Sequence, residues 1–295
     1  HGSQAVFLRD LLTAEIEAMN GNEIRARSFM EKAIINMDSR VFKGLDEYPS
    51  VKTIVVANIG DFNVNEVTAR EMDWKSEDIG LLMFLVIPKD FYKELRSIAC
   101  KPLAVDGVYI DLPFMHSRFA VSSDGKEDGL IFLHELTHLW DHYNPGIADH
   151  FMQISWDARK KLISEIRLVP KKVIFAITGN YSLPDRPPCG FISPYAPERT
   201  HEDLSESVSF YVFYGPEFRK MAREQLSKGN AELAAKYLFV RYLMPFKGRE
   251  YQIDDAPSLS AREVNDAIKK RKIVVSAAIT SIINDAIKAE EKQIG

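Results

Sequence analysis

Apolar and polar positions change rhythm along this chain, and each rhythm predicts a different element. Between 4 and 20, Phe7, Leu8, Leu11, Leu12, Ile16 and Met19 recur at the spacing of one helix face. Gly21-Asn22 is a stop signal, and a second helical stretch follows over 23–36. Together they predict a helical hairpin within 1–48. Residues 51–57, Val51-Lys52-Thr53-Ile54-Val55-Val56-Ala57, are short and β-branched, which predicts a strand. Residues 81–87 predict another. Over 105–112, Val108, Ile110 and Leu112 fall on one face and Tyr109 and Asp111 on the other, the alternation of an edge strand.

A polar loop at 122–129 then leads into a helix over 130–143, ended by Asn144-Pro145-Gly146. A further helix is expected over 151–168. Pro184, Pro187, Pro188, Pro194 and Pro197 rule out regular structure over 182–199, so that stretch is a loop. A helix follows over 202–214, and the remainder is helical with a break at 245–257. The elements add up to a helix-rich α+β protein: an N-terminal hairpin (1–48), a core with a small mixed sheet (49–215), and a C-terminal helical region packed on it (216–295).

Length and composition narrow the function classes. With 295 residues there is room for one large core or two modest ones. The net charge is −4 and no basic run is present, which argues against a nucleic-acid partner. The longest apolar run, 79–87, is about half of the roughly 18 residues that a membrane-spanning helix needs. Cys100 and Cys189 are too few for a disulfide framework, and one bridge or two free thiols both remain open. His1-Gly2-Ser3 reads as a remnant of expression, so we expect a trimmed natural start and lean toward an exported protein. No pattern here fixes an oligomeric state.

The chemistry concentrates in His134-Glu135-Leu136-Thr137-His138. Residues i and i+4 share a helix face, so both imidazoles can meet one metal ion. Glu135 sits beside the first ligand and can act as a general base without being a ligand itself. Phe132, Leu136, Leu139 and Tyr143 form an apolar stripe on another side, leaving a separate metal face. The ion this pattern fits is Zn2+, which in a catalytic site takes three protein ligands and leaves one position open.

Three positions are candidates for the third ligand. A histidine six positions past His138 is absent, because Asn144 stands there; His142 lies a full turn beyond His138. Asp157 is 19 positions on, but no Asn-Glu pair precedes it. Glu202 shares a helix face with Glu206, Ser209 and Phe213, opposite Leu204, Val208 and Tyr211. Two carboxylates a turn apart on that face suit a ligand and an outer partner. His201, His116, His150 and Cys189 have weaker claims.

The run from His134 to Tyr143 resembles the zinc helix of gluzincin metallopeptidases of the anthrax lethal factor and Pro-Pro endopeptidase group, which also carry an Asp and a Tyr after the second His. Tyr195 precedes Glu202 by seven residues and Glu206 follows it by four, and both spacings are similar to that family's and to those of uncharacterised bacterial zinc metallopeptidases. The resemblance covers 130–214, with a dissimilar middle, and Thr137 departs from the small residue usual in such helices. It implies a zincin-like core, Glu202 as third ligand, Tyr195 as oxyanion stabiliser and Glu206 as an outer-shell partner. The expected activity is therefore zinc-dependent hydrolysis of peptide bonds, by an endopeptidase acting on a peptide or protein that could pair with the 105–112 strand. Two rivals are a zinc-binding interaction protein without catalysis and a zinc hydrolase of non-peptide amides.

Overall fold

The computed structural model describes residues 2–35, 45–59, 87–92, 97–101, 107–109, 118–122, 128–167, 187–243, 246–251 and 258–294. The chain divides into two compact units, 1–143 and 144–295. The boundary falls inside the 49–215 segment expected to be one core.

Unit one opens with α1 (Gly2–Met19) and α2 (Glu23–Ile35), which pack on each other as the periodicity predicts. They bury Phe7, Leu11 and Ala14 on one side and Ala26, Met30 and Ala33 on the other. Gly21 makes the turn with φ +76°, a backbone conformation that favours glycine. Leu12, Ile16 and Met19, expected on the buried face, are exposed.

The segment 51–57 is not a strand. It lies in α3, Pro49–Ile59. Pro49 occupies the first helical position, where its missing N–H costs nothing. The next two backbone N–H groups, of Ser50 and Val51, donate to the Glu15 carboxylate at 3.0 and 2.9 Å. An anion from α1 therefore caps the positive end of α3. Val51 and Val55, one turn apart, are fully buried. The β-branched composition gave the wrong period because a partner far back in sequence decided the conformation.

Among the described residues, strand pairing is confined to β1 (Ser97–Lys101), β2 (Gly107–Tyr109) and β3 (Arg118–Ser122). β3 lies between the other two, parallel to β1 and antiparallel to β2. Of the 105–112 strand, only β2 lies within the described residues, and the 81–86 part of the other expected strand lies outside them. The α+β, zincin-like class expected from the sequence is corrected accordingly. About three-quarters of the interpretable chain is helical, in eleven α-helices, and it is helices rather than a mixed sheet that form the body of the protein.

Unit one ends in α4, Asp128–Tyr143. It packs on β2, β3 and the short helical turn Lys89–Phe91. Phe132, Leu133, Leu136, Leu139 and Trp140 are buried, and Trp140 stacks on Phe91 with ring centroids 5.0 Å apart. Tyr143, expected on the apolar stripe, is instead 41% exposed.

All the regular structure among the described residues of unit two is helical. It contains α5 (Ile147–Ile154), α6 (Trp156–Arg167), α7 (Thr200–Phe213), α8 (Gly215–Ser227), α9 (Glu232–Tyr242), α10 (Ala261–Arg271) and α11 (Ala277–Ile294). α9 is the centre: it contacts α5, α7, α8, α10 and α11. Leu233, Ala234, Ala235, Tyr237, Leu238 and Val240 are all buried, so α9 has no solvent face over that run. A helix apolar on every side belongs in a core, and α9 is placed there. The helix expected over 151–168 is broken at Ser155, which separates α5 from α6.

No helix among the described residues is long and apolar enough to cross a membrane.

Candidate metal centre

Both candidate histidines are carried by α4. His134 and His138 lie one turn apart, and their Nε2 atoms are 3.0 Å from each other. The rings meet edge to face, with centroids 4.7 Å apart. Zn–N bonds of 2.0–2.1 Å at a tetrahedral angle place two ligating nitrogens roughly 3.3 Å apart. The 3.0 Å contact is a hydrogen bond between the two imidazoles, and its length is within a few tenths of an ångström of that nitrogen–nitrogen separation. His134 is buried and His138 half-buried. Glu135, between them in sequence, is buried at 6% exposure. The helix turns that carry these groups are fixed by Leu133, Leu136 and Leu139, each almost fully buried.

Thr137, the departure from the resembled helix, is fully buried too. Its Oγ1 donates to the Leu133 carbonyl at 2.7 Å, so the hydroxyl is satisfied inside its own helix. Asp141 is buried, whereas His142 and Tyr143 are exposed and pack ring edge to face.

The acidic candidates lie in unit two. Residues 187–199 are without regular structure, as their prolines require, and α7 follows from Thr200. Glu202 and Asp203 fall in the first turn of α7, where the helix dipole favours acids. Around the helix, Glu202, Glu206 and Phe213 are half-buried, while Asp203, Leu204, Ser205, Val208, Ser209, Tyr211 and Val212 are buried. The expected division into a core stripe and a more open carboxylate face therefore holds for Glu202 and Glu206; Ser209 lies inside.

Tyr195 is half-buried in the loop, and its hydroxyl donates to the Glu202 carboxylate. Burial pushes its phenol well above the ordinary tyrosine value, and the charges of Glu202 and Glu198 and the bond to Glu202 push it further. The hydroxyl keeps its proton and can donate it to a hydrogen bond. The loop that holds it is not a loose surface segment, since Phe191, Ile192 and Ala196 are buried.

Other sequence candidates fare differently. Asp157 is exposed and pairs with Lys160 on its own helix at 3.7 Å. His201 and His150 are exposed. Cys189 is exposed and free of any disulfide, with burial of its sulfur environment raising its thiol pKa. His116 lies outside the described residues.

Sequence reasoning missed the buried charge beside Glu202. Asp203 and Lys236 are both fully buried. Lys236 Nζ donates to the two Asp203 oxygens at 2.8 and 2.7 Å and to the Gly190 carbonyl at 2.7 Å. Ser155, the residue between α5 and α6, donates its Oγ hydrogen to Asp203 Oδ2 at 3.2 Å. A signal was present: Lys236 is the one charge in the otherwise apolar run 233–240.

No protein-family model matches the chain, and neither a curated protein nor a solved structure matches it.

Proposed function

We propose that this protein is a zinc-dependent peptidase in which His134, His138 and Glu202 hold one zinc ion. The observation that carries the reading is the paired imidazoles of α4, whose nitrogens already stand at the separation a zinc ion bridges. Each of the three residues offers one ligand atom, and two imidazole nitrogens with one carboxylate oxygen are a donor set of the catalytic kind. The resemblance to gluzincin metallopeptidases supports the same assignment.

Held by those residues, zinc would supply acidification of a water and polarisation of a carbonyl. Glu135 takes the proton of the attacking water and returns it to the leaving amine. Its burial and its place next to His134 support that role. The Tyr195 hydroxyl donates to the oxyanion that develops on the scissile carbonyl, a role supported by its locked protonation. Glu206, one turn past Glu202 on the same half-buried strip, accepts hydrogen bonds around the ligands and orients them. The substrate is a peptide or protein cut within its chain.

The test is a peptide-library digestion with metal-loaded and chelator-stripped protein. Cleavage that disappears on stripping and returns with zinc supports the reading. Zinc uptake without cleavage of any peptide favours a binding protein, and cleavage confined to small non-peptide amides favours the other hydrolase reading.

A further inference from the structure

Gly190 and Glu198, which bracket Tyr195 in the loop, are both tied to cations, the first buried and the second half-buried. The Gly190 carbonyl accepts from Lys236 Nζ at 2.7 Å, and the Glu198 carbonyl accepts from Arg159 Nη2 at 2.8 Å. Lys236 reaches Gly190 across the face of Phe191, with Nζ 4.1 Å from the ring centroid. Gly190 itself is held by a second bond, its N–H donating to Gln225 Oε1 at 2.9 Å. It adopts φ +83°, and a Cβ there would lie 3.3 Å from the Cβ of Glu232. Only glycine lets the loop come this close to α9 without strain.

The same ammonium holds the helix start. All three of its protons find acceptors, the two Asp203 oxygens and the Gly190 carbonyl. Asp203 follows Glu202 directly, and successive helical residues point about 100° apart. With Asp203 anchored inward on Lys236 and Ser155, the direction of Glu202 is set by the rotation of that first turn. One buried cation therefore links the residue beside Glu202 to the loop that carries Tyr195.

Stability alone does not call for such a pair. Removing two charges from water costs several kcal/mol, and apolar replacements of similar volume commonly do as well or better. What an ion pair supplies and apolar packing does not is a fixed direction. We propose that Asp203 and Lys236 are positioning residues that hold Glu202 and Tyr195 in register with each other for metal binding and catalysis. This inference rests on the zinc reading for its function, and on geometry within unit two for its mechanism.

Lys236→Met alone leaves a buried carboxylate without its cation, so the deciding variant is the double one, Asp203→Asn with Lys236→Met, in the full chain. Three quantities are read: the melting transition, zinc affinity by chelator competition, and amide hydrogen exchange over 187–205. The expected result is a cooperatively folded variant whose zinc affinity falls about 10- to 100-fold. Exchange over 187–205 rises at least about tenfold, while α10 and α11 keep wild-type protection. On a peptide substrate kcat falls and KM holds. A folded double variant with wild-type zinc affinity and wild-type exchange overturns the positioning role and leaves the zinc reading intact. A wild-type chain that takes up no zinc overturns the metal reading instead. The exchange measurement then still decides whether the pair holds the loop to the helix, and unchanged exchange overturns that as well.

Discussion

Tyr195 donates a hydrogen bond to Glu202, seven residues ahead of it across the junction between a proline-rich loop and α7. The bond joins the proposed oxyanion donor to the proposed metal ligand before any substrate arrives. Tyr195→Phe removes the donor and leaves the ring. Loss of one such donor commonly lowers kcat by about 10²- to 10³-fold. We expect that drop with KM and zinc affinity nearly unchanged, read from steady-state kinetics beside a metal titration. An unaltered kcat contradicts the role.

Glu135→Gln preserves the shape of a buried side chain and removes its basicity. A positioned general base contributes roughly 10²- to 10⁴-fold. The variant should therefore bind zinc with wild-type stoichiometry and lose peptide hydrolysis by that factor. Elemental analysis of the same preparation used for the assay separates loss of chemistry from loss of metal.

Glu15 tests the fold. Its carboxylate takes the N–H groups of Ser50 and Val51 and so caps α3. Hydrogen bonds to a charged group are worth about 1.5–3 kcal/mol each, and less where water competes. Glu15→Ala should lower unfolding stability by about 1–3 kcal/mol, measured as a shift in urea midpoint without a change in slope. Glu15→Gln, which keeps one acceptor, should recover part of the loss.

Alkaline pH should destabilise unit two, and Tyr242 should contribute. Burial lifts its phenol to about 12, against the lowering charge of Arg241, and the charge of Glu290 and the bond to it add to the rise. Its hydroxyl donates to Glu290 at 3.2 Å. The folded value lies above the unfolded value of 10.0, so the folded state binds the proton more tightly. The stability this group supplies is complete below pH 10 and is lost as pH rises toward 12. Denaturant melts across that window should fall more steeply for wild type than for Tyr242→Phe. Equal slopes contradict the assignment.

Much of this was legible in the sequence wherever one helix carries the information. The α1–α2 hairpin followed from periodicity and Gly21. The facing of His134 and His138 followed from their spacing alone, and the loop at 187–199 from its prolines. What was not legible depends on partners far apart in the chain. The 51–57 helix is capped by Glu15, and Ser155 between α5 and α6 bonds Asp203, 48 residues on. The overall class failed for the same reason, since β-branched composition was read as strand where tertiary capping makes helix. Tyr143 fits a 3.6-residue stripe yet falls at the last turn of α4, where the stripe runs out into solvent. Lys236 could have been flagged as a charge in an apolar run, but the sequence names neither Asp203 nor Gly190 as its partners.

The central claim is that one zinc ion takes His134, His138 and Glu202 as ligands. Calorimetric titration of metal-stripped protein with zinc tests it most directly, on wild type and Glu202→Ala together. The account predicts one site per chain in the wild type, and binding at least about 100-fold weaker in a variant that keeps the wild-type circular dichroism spectrum. A wild type that binds no zinc, or a variant that binds it as tightly as the wild type, contradicts the claim.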